Sequence, residues 1–376
     1  MRNFSMGSTK SDNTIQKRLD AIGSIVANEV LEVYLIGNPN NQRAYIDKFR
    51  AFSDKKIISA DSIDIQNDNN KIIVCVERER KDYLEIYRQF EQKGWKENVN
   101  FFQEEVYEAF YHVYVRNQIV IDRIEIIMTT YCTLNCEKCI SYIPYQAKKH
   151  FPLEQLTDDI DLLFSKVNYV KKLKLLGGEG FIYPYLKEYV TYIHKNYSDQ
   201  IGEIRIGTNG TVFPSEDILQ VCREKEIIVD ISDYTCAVPD RCKLDDVVKL
   251  LDAHAIRYDI KRSGEKWLDM GFPNRIPGER NDLELEDLYH KCAVFCRNFY
   301  MGKMYHCCSN CAAVISGMFP DDENDHLNFN GEITKKDILA FELGYTPLGY
   351  LTFCKVCQGG SEDANQNLID VAVQCN

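Results

Sequence analysis

Three thiols stand within eight residues of one another, Cys132, Cys136 and Cys139 in the stretch YCTLNCEKCISY, directly after an apolar run at 124–128 (IEIIM) that predicts a strand. Three thiolates at this spacing can wrap one face of a cubane iron–sulfur cluster and leave the fourth iron open to a small molecule. With cysteine at about 4% of positions, C-x3-C-x2-C arises by chance about once in forty such chains. The alternative is a three-thiolate zinc site completed by a histidine, because zinc favours tetrahedral sulfur and nitrogen ligands. The nearest later histidine, His150, stands too far along the chain for a compact zinc knuckle.

A second group of thiols follows in HKCAVFCRNFYMGKMYHCCSNC and LTFCKVCQGG. Cys292, Gly302 and Cys307 are spaced C-x9-G-x4-C, and Cys354-x-x-Cys357 comes later. Cys296, Cys308 and Cys311 compete for any ligand role, and a zinc ribbon built from two cysteine pairs has the same spacing. His306 is expected on the surface of a hairpin. The chain has fifteen cysteines and opens on a polar stretch, MRNFSMGSTKSDNT, without an apolar export segment. The thiols are therefore expected to stay reduced and serve as ligands. Cys75, Cys222, Cys236 and Cys242, scattered among apolar or loop residues, are expected to be core or incidental residues.

The 376 residues, 45% hydrophobic, can bury ample core and suggest two or three domains. A net charge of −12 opposes nucleic-acid or anionic-membrane binding, which needs concentrated Lys and Arg. No apolar run approaches the roughly 20 residues that span a bilayer. A soluble, cytoplasmic protein is expected.

Alternating periodicities must position the first thiols. The stretch 156–167 (LTDDIDLLFSKV) has helical spacing, with Thr157 or Asp158 as its cap. KKLKLLGGEG reads as a strand ending in a glycine turn. Further strands are expected at 203–210, 226–234 and 256–262, with helical SEDILQVCREK and LDDVVKLLDAH between them. This is a parallel α/β pattern, in which ligands bind at the C-terminal strand ends. Gly177-Gly178-Glu179, Thr208-Asn209-Gly210 and Ser232 stand at such ends, although Gly-Gly and Asn-Gly alone are ordinary turn dipeptides.

Taken together, Cys132, Cys136 and Cys139 and the motifs after them resemble the radical S-adenosylmethionine enzymes. The resemblance implies a partial (β/α)6 barrel whose first strand precedes a 4Fe-4S cluster held by those three thiolates. It further implies S-adenosylmethionine at the open iron, cleavage to a 5′-deoxyadenosyl radical, and abstraction of a substrate hydrogen. Lys138 stands where this family often has an aromatic residue. Gly177-Gly178-Glu179 resembles the family's GGE-P motif, with Gly180 in place of Pro. The cofactor-binding residues implied are Gly177, Gly178, Glu179, Thr208, Asn209 and Ser232.

The later cysteines resemble a twitch domain, a shortened relative of the SPASM domain. That resemblance implies Cys292, Cys307, Cys354 and Cys357 as ligands of one auxiliary 4Fe-4S cluster, on a cysteine-rich β-hairpin and helix element. The N-terminal region begins with a helical stripe at 14–29. Strand, helix, strand and helix follow, the last read over 81–102. It resembles a truncated Rossmann-like α/β domain found beside sugar- and polysaccharide-modifying enzymes. LIGNPNNQ keeps only Gly37 of a dinucleotide fingerprint, so a docking or structural role is expected there, with residual nucleotide-sugar binding as the alternative. The domains expected are 1–118, 119–290 and 291–376.

The twitch resemblance implies a two-electron oxidation of a sugar or cyclitol carbinol, with flavodoxin or ferredoxin as electron donor. A ribosomal-peptide maturase, a sugar epimerase and a non-catalytic zinc or iron–sulfur module are the alternatives. No catalytic base is legible. Lys261, Arg262 and Trp267 follow the fifth strand of the series, where side chains could face substrate, but a solvated basic loop is the favoured reading.

Overall fold

The computed structural model describes residues 12–50, 55–60, 65–67, 70–77, 80–261, 266–292, 294, 296–360 and 368–375. Among these no helix is long and apolar enough to cross a membrane. Two compact units result, one of residues 3–119 with 335–344, the other of 120–334 with 345–376.

The first unit runs α1 (Asp12–Ala27), β1 (Glu32–Ile36), α2 (Pro39–Arg50), β2 (Ile57–Ser59), β3 (Lys71–Cys75), α3 (Arg80–Glu91), β4 (Phe101–Gln103) and α4 (Glu104–Tyr114). Its sheet is parallel, in the order β2-β1-β3-β4. The single helix expected over 81–102 is instead α3, a turn and β4. Gly94 has φ +83°, a conformation that ends helices at little cost for glycine. Beyond it Phe101 and Phe102 are fully buried in the sheet. Cys75 is a core residue as expected, its thiol pushed up to about 12 by burial.

The second unit carries the thiols. Its elements are β5 (Val120–Thr129), α5 (Leu153–Lys166), β6 (Tyr169–Gly177), α6 (Leu186–Tyr197), β7 (Ile201–Thr208), α7 (Glu216–Glu224), β8 (Ile228–Ser232), α8 (Leu244–Ala253) and β9 (Tyr258–Lys261). Then come β10 (Trp267–Leu268), α9 (Asp282–Lys291), β11 (Asn298–Tyr300), β12 (Lys303–Tyr305), α10 (Cys308–Ser316), β13 (His326–Asn328) and β14 (Leu368–Ile369). Between β13 and β14, α11 (Lys335–Glu342) belongs to the first unit, where Asp337 accepts from Gln16 Nε2 at 3.0 Å and Lys336 pairs with Asp20 at 2.5 Å.

Strands β5 to β9 lie side by side in chain order, all parallel, and β11, β12 and β13 extend the sheet beyond β5. A helix crosses over between each pair from β5 to β9, which makes an open, partial (β/α) barrel of the kind expected. Strand alternation divides its faces. Leu173, Leu175, Ile206, Val229 and Ile231 are almost fully buried. Each such side chain stabilises the fold by about 1.5–3 kcal/mol. The opposite face is charged: Lys174 pairs with Asp230 at 2.7 Å, and Arg205 joins Asp230, Glu203 and Asp259.

Helix α5 begins at Leu153, not at the Thr157 or Asp158 cap expected. Pro152 occupies the N-cap, and the proline ring's fixed φ favours a helix start. Thr157 lies inside the helix, its hydroxyl donating to Glu154 O at 2.9 Å.

Candidate functional site

Strand β5 ends at Thr129, and the following loop brings Cys132, Cys136 and Cys139 to the wall of one cavity of about 470 Å³. That volume falls within the range of small-molecule sites. Leu134, Cys136, Val238 and Ala372 form an apolar cluster against which Cys132, Cys139, Tyr234 and Trp267 pack. Burial pushes the Cys132 thiol up to about 11 and Cys136 to about 12, and raises Cys139 as well. These thiols hold their protons at neutral pH until a cation displaces them. Among the described residues no three His, Cys, Asp or Glu side chains converge on a single-ion position; the three thiols line a wider wall.

Gly177, Gly178, Thr208, Asn209 and Ser232 face the same cavity. Gly178 is required by close packing: a Cβ there would lie 2.1 Å from Tyr131 O, while its N–H donates to Thr129 O at 2.9 Å. Asn209 reaches the thiol loop directly, its Nδ2 donating to Cys132 Sγ at 3.4 Å and to Thr133 Oγ1 at 3.1 Å.

Glu179 is placed differently. It is fully buried and is not on the cavity wall; its Oε1 accepts from Phe181 N at 3.0 Å and its Oε2 from Asn209 N at 2.8 Å. Burial raises its carboxyl, against the pull of these hydrogen bonds. Its role in this geometry is to tie the end of β6 to the end of β7. Gly180, where the motif usually has Pro, would bring a Cβ within 2.4 Å of Gly207 O, so the loop is held by backbone contact.

The charged inner face forms the cavity floor through Lys174 and Asp230. Burial pushes the Asp230 carboxyl up, but hydrogen bonds from Arg205 and Lys174 outweigh it and the net direction is down. Lys261 and Trp267, expected in a solvated loop, both line the cavity. Trp267 meets Tyr234 edge-on, with ring centroids 5.7 Å apart. Arg262 lies outside the described residues.

The second group of thiols gathers where β11, β12 and α10 meet the 354–357 loop. Met301 and Gly302, both with positive φ, make the two-residue turn between β11 and β12, the hairpin that the twitch-domain resemblance implied. Cys307, Cys354 and Cys357 sit in one apolar cluster with Tyr142, Met270 and Phe353, and Cys292 lies within electrostatic reach of Cys357. The Cys357 thiol is pushed up to about 12 by burial. Cys296 and Cys308 turn elsewhere, hydrogen-bonding each other beside Arg123 and Glu125, and Cys311 is fully buried in α10.

Two residues hold this second site that sequence spacing did not reveal. Arg280 Nη1 donates to Cys357 O at 2.7 Å and Cys354 O at 3.3 Å. Asp325, buried, accepts from Asn310, from the Thr352 hydroxyl at 2.8 Å, and from the N–H groups of Thr352 and Phe353. His306 is buried rather than on the hairpin surface, its Nε2 3.1 Å from Tyr345 O, because β12 is covered on that side.

Comparison with known proteins bears on the first site. Residues 126–252 match the family model of the radical SAM superfamily, the span that runs from β5 through α8 and contains the three-thiol loop. Residues 126–252 are a radical SAM domain. No curated protein matches the chain. Among solved structures, BtrN in complex with AdoMet and 2-DOIA is 16% identical, with a TM-score of 0.42, covering 64% of this chain and 94% of that one. anSMEcpe with bound AdoMet and a Cp18Cys peptide is 16% identical, with a TM-score of 0.31, over 38% of this chain and 42% of that one. Streptococcus suis SuiB bound to precursor peptide SuiA is 15% identical, with a TM-score of 0.32, over 58% and 44%. The chain thus spans less than half the length of the latter two, and likenesses at these scores carry no weight on substrate or reaction.

The radical SAM family implies a 4Fe-4S cluster and S-adenosylmethionine. The donor set fits both: three thiols on one wall, with Gly177, Gly178, Thr208, Asn209 and Ser232 lining the same space.

One further element of the three-thiol site carries no motif. The segment 368–375 crosses the three-thiol loop: Glu137 N donates to Val373 O at 2.7 Å, Cys375 N to Asn135 O at 2.8 Å, and Gln374 Nε2 to Cys136 Sγ at 3.3 Å. Val371 also lines the cavity.

Proposed function

We propose that the protein is a radical S-adenosylmethionine enzyme that oxidises a carbinol of a sugar or cyclitol by two electrons. In this reading Cys132, Cys136 and Cys139 hold the first 4Fe-4S cluster, and Cys292, Cys307, Cys354 and Cys357 an auxiliary one. The observation that carries it is the single cavity shared by three thiols, polar strand ends and a charged floor.

When bound, the first cluster with S-adenosylmethionine supplies a hydrogen-abstracting radical, and the auxiliary cluster a one-electron acceptor. The chain's own residues do the rest. Gly177, Gly178, Thr208, Asn209 and Ser232 bind S-adenosylmethionine along the strand ends. Lys174, Asp230 and Lys261 present charged groups to substrate hydroxyls, and Trp267 with Tyr234 closes an apolar side of the cavity. Tyr142 stands three residues after Cys139 and packs in the same apolar cluster as Cys307, Cys354 and Cys357, so the two thiol groups share a wall. In the oxidation one hydrogen atom leaves carbon, one proton leaves oxygen, and one electron goes to the acceptor.

The test is anaerobic turnover with dithionite and S-adenosylmethionine against free hexoses, aminocyclitols and nucleotide sugars. A product two hydrogens lighter, with one 5′-deoxyadenosine formed per product, is expected. A product of unchanged mass and inverted stereochemistry would make the enzyme an epimerase. Modification of a precursor peptide alone would replace the carbohydrate reading.

A further inference from the structure

The 368–375 segment is bound to the three-thiol loop at both ends of one side chain. Gln374 Oε1 accepts from Asn135 N at 2.9 Å, while Nε2 donates to Cys136 Sγ at 3.3 Å and to Ala372 O at 2.6 Å. The network fixes the amide's orientation, because a flipped amide would set Nε2 against the Asn135 N–H and Oε1 against Ala372 O and the sulfur. Backbone bonds on either side, Glu137 N to Val373 O and Cys375 N to Asn135 O, hold the register, and Ala372 is fully buried beside the thiols. Upstream, β14 pairs with β10 and Lys266 with Asp370. Cys132 takes its hydrogen bonds from Leu134 N and Asn209 Nδ2, so Gln374 gives Cys136 a donor of the same kind from a distant part of the chain.

We propose that Gln374 is a positioning residue that sets the reduction potential of the cluster held by Cys132, Cys136 and Cys139. The inference rests on the ligand assignment above. A hydrogen bond donated to a ligand sulfur stabilises negative charge on it, and that charge grows when a one-electron reductant such as dithionite adds an electron. The Gln374 donor therefore favours the reduced form and raises the potential. It also fixes the rotamer of the Cys136 side chain, as partners behind a metal ligand do.

The experiment uses the full chain, loaded anaerobically with iron and sulfide, as wild type, Gln374→Leu, Gln374→Glu and Val373→Ala. Dithionite titration is followed by electron paramagnetic resonance on the signal that changes when S-adenosylmethionine is added. Gln374→Leu removes the donor without adding charge. Gln374→Glu keeps the acceptor for Asn135 N, so it guards against misfolding of the Leu variant. Both are expected to weaken reduction up to tenfold, a negative shift of up to about 59 mV for a one-electron couple, at unchanged iron content. Val373→Ala, at an exposed side chain in the same segment, is expected to match wild type.

Wild-type midpoints in both Gln374 variants would overturn the inference. So would loss of iron with an unchanged midpoint for the cluster that remains, since that is a structural role only. A wild-type protein with no signal responsive to S-adenosylmethionine would instead sink the ligand assignment, and this inference with it.

Discussion

The two groups of thiols differ in how the fold presents them. Cys132, Cys136 and Cys139 come from one loop of eight residues and line an open cavity of about 470 Å³. Cys292, Cys307, Cys354 and Cys357 come from three separate places in the chain, and three of them are packed among Tyr142, Tyr289, Phe353 and other buried side chains. The first arrangement leaves room for a small molecule beside the thiols. In the proposed reading the second would supply four protein ligands from a closed, apolar surrounding, as befits a group that exchanges electrons without binding substrate.

That contrast predicts opposite losses. Cys132→Ala should abolish 5′-deoxyadenosine formation, a fall of at least about a thousandfold for a reaction that depends on the cluster. Residual formation above a tenth of wild type would break the contrast at its open end. Cys357→Ala should leave reductive cleavage of S-adenosylmethionine within about threefold of wild type while product formation falls about a hundredfold. Equal loss of both in Cys357→Ala would mean that the sites are not separable in this way.

The closed site should also be the more sensitive to its supports. Asp325→Ala strands four donors around the 352–357 loop, two of them buried and two part-buried, an expected loss of about 4 kcal/mol, or roughly 8–16 °C in Tm. Asn209→Ala, which removes a donor to Cys132, should change Tm by less than about 4 °C and raise the concentration of S-adenosylmethionine needed for half-maximal cleavage. If Asp325→Ala unfolds no earlier than Asn209→Ala, the clamp is not what holds the closed site.

The smallest effect concerns the hairpin that carries Cys307. Asp159 is buried and accepts from Gly302 N at 2.7 Å and Met301 N at 3.0 Å; burial raises its carboxyl to about 6 from an ordinary 3.8. The folded state therefore binds the proton more tightly than the unfolded state. Its contribution to stability is largest at low pH and falls as pH rises through the folded value, by about 1 kcal/mol between pH 5 and 7. Thermal unfolding across that range, compared with Asp159→Asn, should show the slope in wild type and a flatter profile in the variant.

The open site was legible because its three thiols are neighbours in sequence and follow a strand, so local spacing carried the geometry. Thr208, Asn209 and Ser232 were legible for a related reason: parallel strands put their C-terminal ends at one rim, whatever the loops contain. Gln374 was not, because 238 residues separate it from Cys136 and nothing near it signals a partner. Glu179 was read from its motif as a cofactor-binding residue; the sequence did not show that two backbone N–H groups engage its carboxylate. Lys261 and Trp267 were read as solvated from their basic neighbourhood, whereas the β10–β14 pairing folds Trp267 back over the cavity. Helix α11 shows the same limit at the scale of a domain, since its place in the first unit rests on contacts with α1 and α4 that no local pattern contains.

The most direct measurement is iron and sulfide content with electron paramagnetic resonance on anaerobic reduced protein, for wild type and a Cys132/Cys136/Cys139 triple Ala variant. The account predicts about eight irons per chain, falling to about four in the variant, with only the signal that responds to S-adenosylmethionine lost. Stoichiometric zinc without iron in the wild type would contradict it.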